Sequence, residues 1–309
     1  MIRQEAFAHP QWGWLKTSLH THTTRSDGPF TPEETLRLYA RMGYDAVALT
    51  DHRIYNRRAF APETGVLVLP GIETDGGGRG AARGTCFHTV GIGGMGDGGF
   101  AQDERVPTLP ADGPAGYQPM IDQMRAQDNF VIYAHPQWSR TPARAFEGLT
   151  GLDAMEIWNT GCAMENDMDV DNGFLWDELL RAGRRVWAVA TDDGHSPDRL
   201  GGGWVMVNAH KDADDVLRAL RAGAFYASCG PEIHDFYVQD GRAVVTCSPA
   251  AYVLFAGTHR PWWVKAAAPQ GPTTQAVFPL EGDDLPGAFV RAVVVDAQGR
   301  RAWTNPIFL

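Results

Sequence analysis

The chain has 309 residues, of which 44% are hydrophobic and 21% are charged, and its formal net charge is -10 at pH 7. This length suits one large domain or one domain with a smaller appendage, and the composition argues against a disordered chain. An acidic surface repels phosphate backbones, and the densest arginine pairs, Arg57-Arg58 and Arg300-Arg301, are too short to form a basic patch. We therefore expect no nucleic-acid partner.

The cysteines and the apolar runs indicate where the protein resides. Cys86, Cys162, Cys229 and Cys247 lie far apart without a CxxC pair, which favours free thiols over a disulfide framework or a zinc ribbon. No apolar stretch approaches the roughly 20 residues that cross a bilayer, and the N-terminus lacks the pattern of a secretory signal. A soluble cytoplasmic protein without a membrane partner is expected.

Short apolar runs alternate with amphipathic segments from about residue 14 to residue 229, which is typical of β/α units. The strand candidates are LKTSLH, DAVALTD, VLVLPGIE, CFHTVGIG, FVIYAH, DAMEIWN, RVWAVATD and WVMVNA. A helix is predicted over 32–42, with Thr31 as N-cap, Pro32 at the first position and Gly43 as the stop. Further helices are predicted over 117–127, 174–182 and 213–222.

Two stretches differ from this pattern. Residues 93–116 are rich in Gly, Pro and Asp without a period, which predicts a long loop inserted between two β/α units. From about Glu232 the chain shows apolar alternations broken by Gly, Pro and Asp, with no helical period. This predicts a small all-β appendage of the sandwich kind, so we expect a first domain over 1–231 and a second over 232–309.

Six of the ten histidines fall at the C-terminal end of a predicted strand or one step beyond it. They are His20, His22, His52, His88, His135 and His195. A lone histidine at a strand end is more often structural than a ligand, but chance would not place six there together with several acids. In a β/α barrel these strand ends converge on one mouth, and imidazoles with carboxylates suit Zn, Mn or Fe. The others are scattered and are left out of the metal site: His9, His210, His234 and His259.

A set of short motifs occurs in one order along about residues 15–207. They are His20-Thr21-His22, Ser26-Asp27-Gly28, Thr50-Asp51-His52, Gly71-Ile72-Glu73, Ala134-His135-Pro136 and Asp193-Gly194-His195. In this order they resemble the PHP superfamily, named for polymerase and histidinol phosphatase domains. The resemblance implies a distorted seven-stranded β/α barrel with a site for two or three divalent ions.

The same resemblance assigns ligands to three ions. It places His20, His22, Glu73 and Asp193 on the first ion, and it makes Glu73 the bridge to a second ion completed by His88 and His135. A third ion would take Asp27, His52 and His195. The catalytic set expected from these positions is Glu73, Asp193, His195 and Asp51.

Several neighbours of the motifs have two interpretations. Asp51 and Asp192 could orient a ligand imidazole or handle a proton, or they could cap the turn after a strand. Glu156 is expected to line the mouth and hydrogen-bond a ligand histidine without being a ligand itself. Four arginines are candidates to contact a phosphate, although a solvated surface position is favoured for any single one: Arg25, Arg53, Arg140 and Arg199.

The segment AGAFYASCGPEI and the β-rich tail resemble PHP phosphoesterases with an appended C-terminal β domain, and also the branch that contains carbaryl hydrolases. Tyr226, Ser228 and Gly230 are expected in a loop near the mouth, the alternative being the last strand and its turn.

The resemblance favours a phosphoesterase acting on a small phosphate ester, in which a hydroxide held between two ions attacks the phosphorus. Phosphate or sulfate would then occupy the same site. Hydrolysis of a carbamate, carboxylic ester or amide is the alternative, and it would use an apolar pocket built from aromatic side chains such as Trp138, Trp158, Trp176 and Phe87. A metal-loaded binding or regulatory domain without turnover is the alternative of another class.

The nine candidate ligands exceed what one ion can use, so we predict more than one transition-metal ion per chain. Inductively coupled plasma mass spectrometry on protein purified without chelator measures the stoichiometry. A value at or below one after reconstitution with Mn or Zn would contradict the multinuclear site.

Overall fold

The computed structural model describes residues 3–7, 12–77, 86–96, 99–108, 114–141, 145, 148–258, 264–266, 271–280 and 289–309. Three of the regions considered above lie outside these ranges in whole or in part. They are His9, His259 and residues 97–98 and 109–113 of the predicted loop.

The described residues form a mixed α/β structure. The α-helices are α1 (Pro32–Arg41), α2 (Gln118–Ala126), α3 (Thr160–Asn166), α4 (Gly173–Arg181) and α5 (Ala213–Ala222). The 3-10 helices are Pro62–Thr64, Pro114–Tyr117 and Pro197–Arg199. The strands before residue 232 are β1 (Gln4–Glu5), β2 (Trp14–Ser18), β3 (Ala46–Ala48), β4 (Leu67–Leu69), β5 (Gly71–Gly77), β6 (Cys86–Ile92), β7 (Phe130–Tyr133), β8 (Ala154–Asn159), β9 (Trp187–Thr191), β10 (Trp204–Asn208) and β11 (Phe225–Ser228). The later strands are β12 (Ile233–Gln239), β13 (Arg242–Ala250), β14 (Tyr252–Gly257), β15 (Val264–Ala266), β16 (Thr273–Pro279), β17 (Phe289–Val295), β18 (Arg301–Thr304) and β19 (Ile307–Phe308).

Each of the eight strand candidates between residues 14 and 209 forms a strand, and one of them forms two. The run VLVLPGIE is divided into β4 and β5 at Pro70, which has no N–H to donate to a ladder. Helix α1 begins with a capping box, in which the Thr31 side chain accepts from the Glu34 N–H and the Glu34 side chain accepts from the Thr31 N–H. Helix α3 was not predicted, because seven residues are too few to show a period.

The strands that carry the histidine motifs lie in two sheets. The first contains β11, β10, β2, β3 and β4 in that order, with β2, β3 and β4 parallel to one another. The second has the order β5-β6-β7-β8-β9, in which β6 is antiparallel to both of its neighbours. Isolated bridges pair His52 with Glu73 and Thr21 with Gly194, and these bring the two sheets together at the ends where the motifs lie.

Five of the strands after residue 232, β14, β15, β17, β18 and β19, continue the first sheet. Strand β18 pairs with β11, and β17 and β14 follow it outward. A separate sheet of order β1-β12-β13-β16 encloses an apolar layer against these strands, with Phe236, Val245, Phe255 and Val294 buried in it. The segment expected as a loop at Tyr226 and Ser228 belongs to β11, so the alternative of a last strand is the correct one.

The tail also shares the core of the first half of the chain. Val293 and Trp303 are packed in the same buried cluster as Tyr133 and Trp176. Arg291 is fully buried, and its Nε donates to Asp177 Oδ1 of α4 at 2.8 Å. Its guanidinium carbon lies 4.6 Å from the centroid of the Trp176 ring. The tail is therefore held by a buried charge pair as well as by apolar burial.

Among the described residues, no helix is long and apolar enough to cross a membrane.

We predict that Arg291→Met lowers the free energy of unfolding by about 3–5 kcal/mol, because it leaves the Asp177 carboxylate buried without its cation. Urea denaturation monitored by circular dichroism measures the change. Combining it with Asp177→Leu should restore much of the loss, and Arg37→Met, which breaks an exposed pair with Glu63, should change little. Equal effects of the Arg291 and Arg37 variants would contradict this assignment.

Candidate metal centre

Four side-chain atoms from distant parts of the chain converge below the floor of a cavity. His22 Nε2 lies 3.2 Å from His20 Nε2, 3.2 Å from Glu73 Oε2 and 3.1 Å from Asp193 Oδ1. His20 Nε2 lies 3.4 Å from each of the same two carboxylate oxygens. Four ligands placed tetrahedrally at roughly 2.0–2.2 Å from zinc are roughly 3.3–3.6 Å apart, so this set has the dimensions of a tetrahedral cation site.

The carboxylates of this set lack the partners that buried oxygens normally have. Glu73 and Asp193 are buried, and Glu73 Oε2 and Asp193 Oδ1 have no hydrogen-bond partner among the described residues. Leaving a buried carboxylate oxygen without a donor costs free energy. A divalent cation would satisfy both oxygens, so the donor set fits a metal ion.

The two oxygens of Glu73 face two different groups of imidazoles. Oε2 faces His20 and His22, as given above, whereas Oε1 lies 2.9 Å from His88 Nδ1 and 3.5 Å from His135 Nε2. A carboxylate with one oxygen in each group is the arrangement that bridges two ions roughly 3.5–4 Å apart. Glu73 thus lies between two groups of imidazoles, and its Oε2 is also 3.1 Å from His52 Nδ1.

A third group lies nearer to solvent around Asp27. Its carboxylate lies 3.5 Å from His52 Nε2 and 3.4 Å from His195 Nε2, and Asp27 is about half exposed. His22 Nδ1 is also 3.5 Å from Asp27, so one imidazole faces both the first and the third group. His22, Asp27, His52 and His195 each offer a ligand atom within 4.8 Å of the others.

All nine sequence-predicted ligands thus lie in one connected cluster, but two are not at the predicted place in their strands. Glu73 is the third of seven residues of β5, and His88 is the third residue of β6. Because β6 runs antiparallel to β5, its N-terminal part lies at the end of the sheet where other strands terminate. The rule that ligands follow C-terminal strand ends was wrong for these two residues.

Unusual backbone conformations help to orient the side chains of two candidate ligands. His135 has φ 30° and Asp193 has φ 51°, in the left-handed region that side chains other than glycine seldom adopt. Such conformations cost free energy and often occur where a site requires them. In the SDG loop, a Cβ on Gly28 would lie 2.3 Å from the carbonyl carbon of His22, so only glycine lets this loop pass the ligand.

A layer of hydrogen bonds behind the ligands fixes their orientation. Glu156 Oε1 accepts from His20 Nδ1 at 2.8 Å, and its Oε2 accepts from the His135 backbone N–H at 2.8 Å. Ser139 Oγ lies 3.0 Å from His135 Nδ1. Holding the Nδ1 atoms leaves the Nε2 atoms free to face the other side chains of the cluster. The interpretation of Glu156 as a hydrogen-bond partner of a ligand histidine is confirmed.

The expectation that Asp51 is catalytic does not agree with its contacts. Asp51 is fully buried, and its carboxylate accepts from the backbone and hydroxyl of both Thr23 and Ser26 and from the Asn56 amide. No contact to a ligand imidazole is found among the described residues. Because donors from these loops occupy its carboxylate oxygens, Asp51 stabilises the His20-Thr21-His22 and Ser26-Asp27-Gly28 segments. Asp192 is similar, since it accepts from Tyr39 and from the N–H groups of residues 201–203.

The charges of the cluster are strongly coupled. Burial alone would raise the pKa of Glu73, but the charges of His52, His20 and His88 outweigh it and hold the pKa well below the usual range. Burial would lower the pKa of His88, yet the Glu73 carboxylate raises it to about 10. For His195 the carboxylates of Asp193 and Asp27 similarly outweigh burial and raise the pKa to about 10. A cation needs neutral imidazoles, so its binding at neutral pH displaces protons.

The cavity above the cluster has a volume of about 290 Å³, and ligands of all three groups line it together with Trp138, Cys162, Glu165 and Arg199. Of the four arginine candidates, only Arg199 is in this lining, where its Nη1 lies 3.4 Å from Glu165 Oε2. Arg25 and Arg53 are paired with Asp103 and Asp75, and Arg140 is exposed.

Only one of the four aromatic candidates for an apolar pocket lines this cavity. Trp138 is 38% exposed there, whereas Trp176 and Phe87 are buried in the core. Trp158 is partly buried, and its Nε1 donates to Thr160.

Sequence reasoning missed Asp75, whose Oδ2 lies 3.3 Å from His52 Nδ1. Asp75 follows Glu73 by two residues on the same face of β5, and that spacing could have identified it. It also missed Ser139, Asn159 and Thr191, whose positions behind the ligands follow from long-range packing.

No protein-family model matches the chain, and none of the curated proteins matches it. Among solved structures, the chain is similar to a two-domain protein from Bacteroides vulgatus that contains a predicted PHP-like metal-dependent phosphoesterase, with 16% identity, 96% of each chain covered and a TM-score of 0.49. It is also similar to a protein from Bifidobacterium adolescentis provisionally assigned as a metal-dependent phosphoesterase, with 16% identity, 67% of this chain and 96% of that one covered, and a TM-score of 0.44.

A third similar structure is an amidohydrolase from Chromobacterium violaceum with bound sulfate and no metal, with 16% identity, 59% of this chain and 88% of that one covered, and a TM-score of 0.43. At this identity and these TM-scores the site is assigned from its own geometry.

We predict that Glu73→Gln removes at least one metal ion per chain and leaves the secondary structure intact. A neutral amide cannot supply the charge that holds two cations close together. Mass spectrometric metal analysis and far-UV circular dichroism test this, with Glu63→Gln as the control that loses the same charge at the surface. Full metal content in the Glu73 variant would contradict its bridging position.

Proposed function

We propose that this protein is a metal-dependent hydrolase that cleaves a small phosphate ester with two or three divalent ions, Zn, Mn or Fe. The observation that carries the proposal is the Glu73 carboxylate, which is buried and directs one oxygen to each of two imidazole groups. A buried anion so placed serves no packing purpose, whereas a hydrolytic metal pair requires it.

The ligands divide among the ions by the atoms that face one another. His20 Nε2, His22 Nε2, Glu73 Oε2 and Asp193 Oδ1 would hold the first ion. Glu73 Oε1, His88 Nδ1 and His135 Nε2 would hold the second. Asp27, His52 Nε2 and His195 Nε2 would hold the third.

When bound, the ions would lower the pKa of a water molecule toward about 7 and polarise the oxygens of the ester. The residues of the chain supply the orientation. Glu156 and Ser139 hold the imidazoles of His20 and His135, and the Asp193 carbonyl holds His195 through its Nδ1 at 3.0 Å. Arg199, on the cavity wall, is placed to donate to a phosphate oxygen, which would compete with its long contact to Glu165.

The size and charge of the molecule favour a small substrate. A cavity of about 290 Å³ accommodates a phosphate group with a small substituent, and a polymer lying across a surface of net charge -10 would be repelled. Three cations in the cluster would balance a dianion, so free phosphate or sulfate would compete with the substrate.

We also propose the finer architecture that the sequence suggested. Seven of the ten strands from β2 to β11 would wrap as a distorted barrel around the cluster, with residues 1–231 as the hydrolase unit and 232–309 as a β appendage. The bridges between the two sheets support this closure, while the pairing of β18 with β11 ties the appendage to the barrel wall.

A carbamate, carboxylic ester or amide is the second candidate substrate. It is favoured by the exposed indole of Trp138 and by Cys162 on the cavity wall, which give part of the lining an apolar character. The same ligand cluster would serve this reaction.

We predict that metal-reconstituted protein hydrolyses p-nitrophenyl phosphate with a higher kcat/KM than p-nitrophenyl acetate or an N-methyl p-nitrophenyl carbamate. The three compounds share the p-nitrophenol leaving group. The ratio of their kcat/KM values therefore depends only on the acyl or phosphoryl group that is attacked. Rates are measured with Mn and with Zn, with free phosphate as the expected competitive inhibitor and Glu73→Gln as the inactive control.

The outcomes separate the candidates. A higher kcat/KM for the carbamate, with little effect of Asp27→Ala, would replace the phosphoesterase with the second candidate. No turnover of any of the three compounds by fully metal-loaded protein would leave a binding or regulatory domain.

A further inference from the structure

The side chain of Trp138 lies on the cavity wall beside the second imidazole group. Six large hydrophobic side chains are exposed in the part of the chain described here: Met95, Trp138, Met164, Phe174, Val277 and Leu309. Of these only Trp138 lines the cavity above the cluster. A large apolar surface facing a binding cavity is commonly covered by a ligand.

We propose that the group released from the substrate is a planar aromatic ring that packs on the Trp138 indole. The inference rests on the proposed hydrolytic function and specifies its substrate class, an aryl ester. In the reaction, the oxygen of water bonds to phosphorus, the bond from phosphorus to the aryl oxygen breaks, and the aryl oxygen leaves with a proton from the water.

The position of the indole relative to the cluster makes this contact possible. The Trp138 ring is edge-on to His135, with centroids 4.9 Å apart and an interplanar angle of 81°, and it is edge-on to His88 at 5.8 Å and 63°. Both imidazoles belong to the group that faces Glu73 Oε1. A ring stacked on this indole therefore lies close to His135 and His88, which would hold the second ion.

The turn that carries Trp138 is held rigidly. The backbone N–H groups of Gln137 and Trp138 donate to the two carboxylate oxygens of Asp169 at 3.0 and 2.9 Å, and Asp169 is fully buried. The Gln137 side chain donates to Asn172 at 2.7 Å, and the Ser139 N–H donates to the His135 carbonyl. Because these hydrogen bonds fix the turn before binding, its backbone loses little entropy when a ring packs on the indole.

The other described residues of the lining do not offer an equivalent surface. It consists of the ligand side chains, the Glu165 and Arg199 pair, and the small residues Gly161 and Cys162. The charged ester group would lie on the ligand side of the cavity, and the indole is the part of the wall suited to an apolar leaving group. Aromatic pairs favour each other beyond the burial of area alone, which separates a ring from an aliphatic group of similar size.

The test compares two ligands that share a charged group and cannot be hydrolysed. Phenylphosphonate and cyclohexylphosphonate have the same phosphonate and a six-carbon ring, but only the first ring is planar and aromatic. Titration calorimetry on the Mn-loaded full chain measures both dissociation constants. We expect phenylphosphonate to bind about 3- to 10-fold more tightly, the range that an aromatic pair contributes.

Three variants test whether Trp138 causes the preference for phenylphosphonate over cyclohexylphosphonate. Trp138→Phe keeps a ring and should keep most of the ratio, whereas Trp138→Met keeps apolar volume without a ring and should bring the ratio to about one. Phe174→Leu, at an exposed position outside the cavity lining, should leave the ratio unchanged. Metal content is measured for each variant, because Trp138 contacts two ligand imidazoles.

A ratio at or below one in the wild-type protein overturns the proposal, as does an unchanged ratio in Trp138→Met with full metal content. If Trp138→Met binds less metal, the wild-type and Trp138→Phe proteins decide, because the proposal requires both ratios to exceed one. Phosphonate binding needs no turnover. Failure of all esters to react would therefore refute the hydrolase and leave the ring preference standing, while a lost preference with active hydrolysis would refute only the aryl class.

Discussion

The buried carboxylate of Glu73 is the constraint on which the rest of the site depends. One of its oxygens has no hydrogen-bond partner among the described residues, and imidazoles surround both. An isolated charge in such a place would be costly. The surrounding histidines, which lie in or after four different strands, and the cation they would hold are what make its burial tolerable. This requirement explains why so many histidine and carboxylate side chains converge on one point.

Rigidity behind the ligands comes from a second set of buried groups. Glu156 joins the first and second ligand groups, since one of its oxygens holds the His20 ring and the other holds the backbone of His135. Asp169 in turn holds the turn after His135, and Arg301 of the tail pairs with Asp171 two residues later. The β tail thus reaches the cavity wall through a short chain of contacts, and none of its described residues belongs to the ligand cluster, which gives this part of the tail a structural role in the site.

Local pattern was sufficient for much of the fold and for several residues of the candidate site. Apolar runs predicted the eight strand candidates, capping residues predicted the start of α1, and α5 lies over 213–222 as predicted. The period of a strand or helix and the chemistry of its cap are encoded within a few residues. The six histidines near strand ends were equally visible, and the nine candidate ligands followed from the resemblance of the motifs to the PHP superfamily.

The tertiary structure alone decided three things: the direction of the strands, the hydrogen-bond partners of the buried carboxylates, and which aromatic side chains are exposed. The antiparallel course of β6 places His88 in the cluster from the start of a strand, Asp51 is saturated by donors from Thr23 and Ser26, and Trp138 remains exposed while Trp176 is buried. The sheet that continues from β11 into β18 was likewise invisible in the sequence. Each of these depends on pairing between residues far apart in the chain, whereas the sequence by itself determined the local elements and the chemical character of the site.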